Sequence, residues 1–295
     1  MSHYLFILNP ISGNKDKNQL VVLIAQLCLK YKKEYTLLYT KGENDDNFIL
    51  NKIKLLQPSK VIACGGDGTI NLVAKLLMGT SIPLGIVPSG SANGLSVELN
   101  IPANYEQALE LCFVGKPKSI DALRINKTDY SFHLSDFGFN AKMIKTFELS
   151  DERGMFAYAK AFFISLKEKD SVTATYSIKA NGQQRSFEAD MVVIANAARY
   201  GTGAVVSPHS KLNDGTFEVV VFKPIPLNAL VNITLAAFLG TIENSPYVEI
   251  IRTDKAKIMV NKEQFFQVDG QLLGKLTKLK VKIKKNAVNI ICNIP

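Results

Sequence analysis

Three glycine-rich segments carry the side chains of this chain that are most suited to chemistry. They are Asn9-Pro10-Ile11-Ser12-Gly13-Asn14-Lys15, Gly65-Gly66-Asp67-Gly68-Thr69 and Pro88-Ser89-Gly90-Ser91-Ala92-Asn93-Gly94. In the second segment, consecutive glycines let the backbone approach a phosphate group closely. The N–H groups that begin the following helix supply hydrogen-bond donors and a favourable dipole. This segment therefore indicates a phosphate-binding turn.

Asp67 adds a carboxylate to that turn, at a place where it would repel a bare phosphate. Its presence is explained if the carboxylate reaches a magnesium ion or takes a proton from an attacking hydroxyl group. The alternative is a tight strand-to-helix turn in which Asp67 only caps the N-terminus of the helix. The segment alone leaves both interpretations open.

Two common nucleotide-binding motifs are missing from the sequence. There is no GxxxxGK[ST], with which P-loop proteins hold phosphates, and no GxGxxG, the signature of dinucleotide-binding folds. The remaining interpretation is a phosphate-binding α/β domain whose loops are of a different kind.

The segments around the three loops alternate between strand-like and helix-like patterns. Short apolar runs predict strands over 4–8, 35–39, 61–64 and 84–87. Apolar residues at helical spacing predict helices over 20–29, 47–56, 70–78 and 105–113. Such alternation predicts a mostly parallel sheet, in which ligands bind at the carboxyl ends of the strands.

From about residue 119 the pattern changes to short strands separated by turn residues. Strands are predicted over 119–125, 130–137, 172–179, 191–195, 216–222, 255–260, 279–283 and 288–292. Turns are predicted at 181–182, 213–215 and 285–286, and helical insertions near 155–166 and 227–239. We therefore predict an α/β domain over residues 1–118 and an antiparallel β-sandwich over residues 119–295.

The charge of the chain is basic and unevenly distributed. It has 35 basic and 26 acidic residues, and the segment from Arg252 to Lys285 holds ten basic residues against three acidic ones. Such an excess favours an anionic partner, such as a membrane surface or a phosphorylated substrate, although a solvated lysine-rich surface is the alternative. Nucleic acid is not expected, because no recognition motif occurs and no aromatic residues alternate with these lysines.

Part of this excess forms an alternating pattern that predicts a strand with one cationic face. Its lysines stand at every second position and are Lys278, Lys280, Lys282 and Lys284. Such a face contacts anionic headgroups or protects an exposed sheet edge, and the pattern does not separate the two.

Cysteine usage and hydropathy indicate the compartment. Four cysteines stand far apart, at positions 28, 64, 112 and 292, which argues against a zinc site or a disulfide framework and fits a reducing cytoplasm. The N-terminus lacks a basic region and is typical of a first strand. The longest apolar stretch, 227–239, is shorter than the ~20 residues that span a bilayer. We expect a cytoplasmic protein that is peripheral to the inner face of the membrane.

Taken in order, the motifs of this chain resemble those of a known family. They are NPxSG, GGDGT followed by Ile70-Asn71, GIVPxGSxNGL, Ser207-Pro208, LNDGTFEV at 212–219 and Val268-Asp269-Gly270. This ordered set is similar to the catalytic-domain signature shared by bacterial diacylglycerol kinase-like enzymes, sphingosine kinases and ceramide kinases. GGDGT alone is less specific, since NAD kinases and phosphofructokinases carry similar loops.

The resemblance covers essentially the whole chain and implies a lipid kinase. Such a transferase moves the γ-phosphoryl group of MgATP to the hydroxyl of a diacylglycerol-like or other neutral lipid, in phospholipid metabolism. It implies ATP and Mg²⁺ as cofactors and a nucleotide site between the α/β domain and the lipid-binding sandwich.

The resemblance also implies which residues form the site. For ATP they are Asn9, Ser12, Gly13, Thr40, Gly65, Gly66, Asp67, Gly68, Thr69, Ser91, Asn93 and Arg153. A structural magnesium ion is implied at the side chain of Asp214 and the carbonyl groups of Lys211 and Thr216. From the residues alone, 213–215 is equally well explained as a hairpin turn.

The chain departs from the family pattern at two positions where acids are usual. Family members usually carry Asp-Gly-Glu near the C-terminus, and the Glu is the proposed base of the bacterial branch, whereas this chain has Asp269-Gly270-Gln271. An amide cannot accept a proton at neutral pH. The third loop has Gly94 where the bacterial branch tends to have Asp. Three interpretations stay open: Asp67 is the catalytic base with Gln271 as a hydrogen-bonding substitute, the enzyme is slow, or the protein binds nucleotide without catalysis.

Two further positions, Lys142 and Arg153, bear on the two substrates, the lipid and ATP. Lys142 lies where sphingosine kinases keep an Asp for the lipid amine, so a neutral or acidic lipid fits better than a sphingoid base. Arg153 would neutralise phosphate oxygens of ATP. The expected partner is a lipid at a membrane surface, and a homodimer is left open.

A soluble-substrate kinase of the NAD kinase type would need Asn-Glu where this chain has Asn93-Gly94.

Overall fold

A computed structural model of the chain describes residues 2–14, 17–138, 173–200 and 203–293. Two compact units make up the chain: Met1–Ile120 with Asn286–Pro295, and Asp121–Lys285. The division predicted at residue 118 assigns residues 286–295 to the second domain, whereas residues 286–293 group with the first unit. The predicted helix near 155–166, Lys142 and Arg153 lie outside the described residues.

The first unit contains a parallel sheet. Its strands are β1 (His3–Leu8), β2 (Glu34–Tyr39), β3 (Lys60–Gly65), β4 (Leu84–Pro88) and the last residues of β14 (Gln271–Ile291). Their order across the sheet is β14, β4, β3, β1, β2, and neighbours pair in parallel. The strands β1, β3 and β4 are almost wholly buried, as expected for a parallel sheet covered on both faces.

Helices of the first unit are α1 (Asn18–Lys30), α2 (Asp45–Leu56), α3 (Asp67–Leu77), α4 (Gly94–Glu98) and α5 (Tyr105–Val114). A 3-10 turn, Ser12–Asn14, follows β1. The apolar residues of α3 at helical spacing, Ile70, Val73, Ala74 and Leu77, are buried. The four predicted strands and four predicted helices are confirmed. The sequence did not predict α4, because five residues are too few for a hydrophobic period to be recognised.

The second unit consists mainly of antiparallel strands. The strands are β5 (Pro117–Ile125), β6 (Asp129–Ser131), β7 (Leu134–Phe137), β8 (Ala174–Ala180), β9 (Gln183–Ala189), β10 (Met191–Ala195), β11 (Phe217–Phe222), β12 (Val248–Thr253), β13 (Lys255–Val268) and most of β14. One described helix, α6 (Leu230–Leu239), lies between 3-10 turns at Leu227–Ala229 and Ile242–Asn244. Two strands, β5 and β14, run across the boundary between the units.

Alternating side chains of β10 and β11 enter two separate cores, which explains the sandwich-like architecture. The strands pair in the order β12, β11, β10, β7, β13, β14, with β8 beside β13 and β9 beside β8. One core contains Val192, Ile194, Val219, Val221, Phe266, Leu279 and Val281. The other core contains Met191, Val193, Val220 and Phe222, together with Ile233 and Ala237 of α6.

Two predicted boundaries are wrong in the second unit. The predicted turn at 285–286 does not interrupt the chain direction, because it lies inside β14, a single strand of 21 residues. Asn286 adopts a left-handed φ of 49° within this strand, so the residue type signals a local irregularity and not a turn. The predicted strand over 130–137 is two strands, β6 and β7.

Within the described residues, no helix has both the length and the apolar character needed to cross a membrane. All four cysteines are buried and carry free thiols.

Candidate functional site

The three glycine-rich segments come together at the carboxyl ends of β1, β3 and β4, which are neighbours in the first unit's sheet. The Asn9 side chain donates from Nδ2 to the Thr69 hydroxyl at 3.1 Å. The hydroxyl groups of Ser12 and Ser89 are 2.8 Å apart. The first segment is therefore hydrogen-bonded to both of the others, as their common position at strand ends predicts.

Glycine is required where these segments touch. Gly13 has a φ of 63°, and a Cβ atom there would lie 2.1 Å from the carbonyl oxygen of Ser89. A Cβ atom on Gly90 would lie 2.5 Å from the Cα of Gly66. By contrast, a Cβ atom on the exposed Gly68 would meet no atom within 4 Å. The backbone is therefore tightly packed between the segments and open above Gly68.

Asp67 joins the second segment to the third. Its carboxylate accepts hydrogen bonds from the N–H groups of Gly94 at 3.0 Å and Leu95 at 3.2 Å. These residues begin α4, where backbone N–H groups have no acceptor within the helix. The N-cap position of α3 itself is held by Gly66, without a side-chain hydrogen bond. Asp67 thus caps a helix, as one interpretation of the sequence proposed, but the helix is α4 and not its own.

The side chain of Asn93 shapes the third loop. Its Oδ1 accepts from the Gly90 N–H and its Nδ2 donates to the Gly90 carbonyl, both at 2.8 Å. Asn93 also adopts a left-handed φ of 52°, which Asn tolerates better than most residues. Beside it, Ser91 is exposed. Thr40 stands at the carboxyl end of β2, where its N–H donates to the Leu8 carbonyl at 2.9 Å.

Lys17 supports the first segment and was not predicted. Its side chain is 8% exposed, and its ammonium donates to the Ser12 carbonyl at 2.8 Å and lies 3.4 Å from the Tyr105 hydroxyl. Burial raises the pKa of Tyr105, and a hydrogen bond with Ser89 opposes that rise. Nothing in the sequence separates Lys17 from the other lysines near the loop, because its burial depends on α5 packing beneath it.

The start of α3 is the part of this cluster that is suited to an anion. The first N–H groups of a helix lack partners inside it, and the helix dipole favours negative charge there. The N–H groups of Asp67 and Gly68 hold these positions beside the open space above Gly68. The ammonium of Lys17 adds a positive charge under the first segment. The arrangement can hold a phosphate group, with a carboxylate nearby.

Gln271 lies in the second unit, directly after a hairpin turn. It is exposed and begins β14, where it pairs with Val268 of β13. The turn residues Asp269 and Gly270 have φ values of 47° and 85°, as two-residue hairpin turns of the primed type require.

The carboxylate of Asp269 fastens this turn to the segment between β6 and β7. It accepts hydrogen bonds from the Ser131 hydroxyl at 2.6 Å, the Phe132 N–H at 2.9 Å and the His133 N–H at 3.1 Å. Burial raises the pKa of Asp269, and these hydrogen bonds oppose the rise. Within the triplet Asp269-Gly270-Gln271, the Asp therefore has a structural role.

Asp214 is engaged in an ion pair. Its Oδ1 accepts from the N–H and the hydroxyl of Thr216, at 3.0 and 2.7 Å, and its Oδ2 lies 2.5 Å from Nη2 of Arg252. Arg252 also donates from Nε to the Thr216 hydroxyl at 2.8 Å. The described part of the chain contains no group of three or more His, Cys, Asp or Glu residues that suits a metal. The magnesium ion implied at Asp214, Lys211 and Thr216 stays a prediction, and the Arg252 guanidinium occupies one oxygen of Asp214 in this structure.

The two units define a class of protein: an α/β unit with a cluster of glycine-rich loops, joined to a sandwich-like β unit. Residues 3–125 match the diacylglycerol kinase catalytic domain. Residues 137–292 match the YegS C-terminal NAD kinase beta sandwich-like domain. The chain therefore belongs to the YegS-like, diacylglycerol kinase-type family of lipid kinases, which confirms the family and the fold class that its motifs predict.

Individual relatives agree with this assignment. A Yersinia pestis protein named "Probable lipid kinase YegS-like" is 32% identical over 74% of this chain and 74% of its own length. An uncharacterized Synechocystis protein is 27% identical over 98% of this chain and 70% of its own length. A crystal structure of a diacylglycerol kinase from Bacillus anthracis covers 99% of this chain and 97% of its own, with a TM-score of 0.77 and 20% identity. That structural likeness supports the fold.

Proposed function

We propose that this protein transfers the γ-phosphoryl group of MgATP to a hydroxyl group of a neutral, diacylglycerol-like lipid. The observation that carries the proposal is the bonded cluster of three loops, in which a carboxylate stands beside the N-terminus of α3. Family membership supports a kinase and the use of a nucleotide. The identity of the lipid and the use of ATP are the proposed part.

In this proposal the phosphates of ATP bind above Gly68. The open space there gives room for them, and the N–H groups at the start of α3 supply donors. The close contacts of Gly13 and Gly90 keep the surrounding backbone fixed, so that the donors are already oriented before the substrate arrives. Asn9, Ser12, Thr69 and Asn93 act here by holding the loops, since their hydrogen bonds run between or within them.

Asp67 accepts the proton of the lipid hydroxyl in the proposed reaction. The hydroxyl oxygen bonds to the γ-phosphorus, the bond from that phosphorus to the β–γ bridging oxygen breaks, and ADP leaves with the bonding electrons. A carboxylate offers about four acceptor positions, and the N–H groups of Gly94 and Leu95 occupy two of them. Asp67 is therefore held in one orientation while acceptor positions are left for a hydroxyl proton.

Nucleotide binding without turnover is the second candidate function. Gln271 favours it, because its amide cannot take a proton where family members usually carry Glu. Under this alternative, Asp67 serves only to cap α4. Replacement of Gln271 by Glu would then create or raise activity.

The test is a phosphorylation assay with labelled ATP, a lipid extract and thin-layer separation of the products. We expect a labelled neutral lipid with the unaltered protein and a kcat lower by about 10²–10⁴-fold in Asp67→Asn. The matched control is Asp46→Asn, which makes the same change at an exposed acid in the first turn of α2. Thermal stabilisation by ATP should persist in Asp67→Asn, because the donors at the start of α3 are backbone groups.

The outcomes separate the candidates. ATP-dependent stabilisation without any labelled lipid would support nucleotide binding alone, most directly if Gln271→Glu then gains activity. Formation of NADP from NAD would overturn the lipid substrate. Equal lipid phosphorylation by Asp67→Asn and Asp46→Asn would remove Asp67 from the chemistry and leave it as a cap.

A further inference from the structure

One exposed face of the second unit carries a dense array of cations. They line a shallow groove that crosses β5, β8, β13 and β14, and they are Arg124, Lys179, Lys255, Lys257, Lys280 and Lys282. Buried residues such as Ala256, Ile258, Leu279 and Val281 alternate with these lysines along β13 and β14. The lysines therefore share the outer surface of the sheet, opposite its core.

The lysines face one another across the strands. Lys257 stands opposite Lys280 on one side and opposite Lys179 on the other, and Lys255 stands opposite Lys282. Directly opposed side chains in a sheet have Cβ atoms about 5 Å apart, and like charges at that spacing are destabilising. Folding alone does not account for such an arrangement, which an anionic partner would stabilise.

Carboxylates do not neutralise this array. None of the six groove cations is within 4.0 Å of an acidic side chain in the described ranges, whereas Arg185, Lys223 and Arg252 of the same unit each form such pairs. The net charge of the groove is therefore strongly positive, and it is available to a partner.

Exposed apolar side chains lie on the hairpin that β13 and β14 form. Four of them lie on β13 and β14 and are Met259 (46% exposed), Phe265 (42%), Leu272 (46%) and Leu273 (39%). The ammonium of Lys275 lies 5.0 Å from the centre of the Phe265 ring. Met259 itself stands opposite Lys278 in the register. One β-hairpin therefore carries both lysines and exposed apolar residues.

We propose that this hairpin and the adjoining cationic groove dock on a bilayer surface that contains anionic lipids. The lysines match negatively charged headgroups, and the apolar side chains match the boundary between headgroups and acyl chains. A nucleic acid would satisfy the lysines, but it offers no apolar phase to Leu272 and Leu273. The choice of a bilayer rests in part on the proposed function, because a kinase of diacylglycerol-like lipids must reach its substrate there.

The experiment measures binding of the full chain to vesicles by flotation, without ATP. We expect binding to phosphatidylcholine vesicles that contain phosphatidylglycerol, weakening with added salt, and little binding to phosphatidylcholine alone. A lysine near an anionic surface changes the affinity by about fivefold, so Lys257→Glu with Lys280→Glu should bind at least about 25-fold more weakly. The matched control is Lys52→Glu with Lys54→Glu on α2, which changes the net charge by the same amount.

Further variants guard against loss of folding and against a different ligand. Lys257→Gln with Lys280→Gln removes the two charges without placing acids opposite each other and should show an intermediate loss. Leu272→Ser with Leu273→Ser should weaken vesicle binding and leave its salt dependence intact. Equal binding by the charge-reversed pair and the α2 control would overturn the proposal. Tight binding of a duplex oligonucleotide, with none to anionic vesicles, would overturn it as well.

The docking surface and the proposed chemistry can fail separately. With lipid dispersed in detergent micelles, the Lys257 and Lys280 variants should phosphorylate it at the rate of the unaltered protein. Asp67→Asn should bind anionic vesicles normally and lose phosphorylation. If the unaltered protein binds vesicles but labels no lipid, the proposed function is wrong and the docking surface stands.

Discussion

Asp67-Gly68 in the first unit and Asp269-Gly270 in the second place the same dipeptide in two settings. Both carboxylates hold together segments that are distant in sequence: Asp67 accepts from the N–H groups of Gly94 and Leu95, and Asp269 accepts from three donors at residues 131–133. Both residues are half-buried, so the difference lies in the donors that occupy each carboxylate. Asp67 accepts from two backbone N–H groups, whereas Asp269 accepts from a hydroxyl group as well, and burial raises the pKa of Asp269. The comparison teaches that an acid can fix a loop and keep acceptor positions for a substrate, and Asp67 keeps more of them.

The glycines near the two carboxylates also differ, in which atoms surround the position of an added Cβ. In the first unit, Gly13 and Gly90 touch the backbone of a neighbouring loop, and a Cβ atom on either would approach it to 2.5 Å or less. In the hairpin, Gly270 has a φ of 85° but no atom within 4 Å of the position of a Cβ. The first set of glycines is required by packing between loops, and the second by local conformation alone.

Among the glycine substitutions, Gly13→Ala should have the largest effect on activity. The added Cβ would meet the Ser89 carbonyl at 2.1 Å, so the first and third loops must separate. A displacement of about 1 Å in a catalytic site costs about 100-fold, and we expect a loss of at least that size in lipid phosphorylation, together with weaker stabilisation by ATP. Gly79→Ala is the control, since it has a similar φ of 74° but no neighbour within 4 Å. Similar losses in both variants would mean that backbone strain, and not loop packing, is decisive.

Asp269→Ala should have the largest effect on stability. It leaves the Ser131 hydroxyl and two backbone N–H groups without their acceptor, and we expect the free energy of unfolding to fall by about 2–4 kcal/mol. Asp129→Ala removes a carboxylate that accepts an exposed hydrogen bond from the Thr128 hydroxyl, and should change stability by less than about 0.5 kcal/mol. Urea denaturation measures both. If Asp67→Ala destabilises the protein as much as Asp269→Ala does, the two carboxylates do not differ in the way described.

Gly270→Ala should have a smaller effect. The added methyl group meets no neighbour, so the cost is that of a left-handed conformation for a residue with a Cβ, about 1–2 kcal/mol. Urea denaturation should show that the free energy of unfolding falls by that amount. An unfolding free energy equal to that of the unaltered protein would show that the left-handed conformation at this position does not require glycine.

Much of the α/β unit follows from the sequence, because its signals are local. Alternating apolar runs and helical periods predict β1 to β4, and each chemistry-bearing loop directly follows one of these strands. The contact between Ser12 and Ser89 could be expected only in outline, since the carboxyl ends of neighbouring parallel strands meet. Its partners and distances depend on the order of the strands.

The interactions that the sequence did not reveal are those between residues far apart in the chain. Asp67 caps a helix that begins 27 residues later, and a five-residue helix has no recognisable period. Arg252 reaches Asp214 from β12, 38 residues further on, so the turn at 213–215 gave no sign of an ion pair. The metal ion that the resemblance implies at this turn stays a prediction. The residues that it implies for ATP stay predictions as well.

The smallest predicted effect concerns a buried acid beside the third Asp-Gly pair, Asp214-Gly215. Glu218 is 2% exposed, accepts a hydrogen bond from the Ser210 hydroxyl, and lies 3.6 Å from Nε of Arg252. Burial is the main cause that raises the pKa of Glu218 above its usual 4.5. A raised pKa means that the folded state binds the proton more tightly than the unfolded chain does. The stability from this acid is therefore fully present below its ordinary pKa and is lost as the pH rises through the folded value.

Glu218→Gln should remove this contribution to the pH dependence of stability. Glu249→Gln is the control, because the contribution of Glu249 changes with pH in the opposite direction. The hydrogen bond from Arg185 lowers the pKa of Glu249, so its contribution is present above the ordinary pKa and is lost as the pH falls. Between about pH 4 and about pH 7, the unfolding free energy of the unaltered protein relative to Glu218→Gln should decrease. Over the same range, the unfolding free energy of the unaltered protein relative to Glu249→Gln should increase. Denaturant unfolding at the two pH values measures both differences, and equal signs would show that burial does not govern the titration of Glu218.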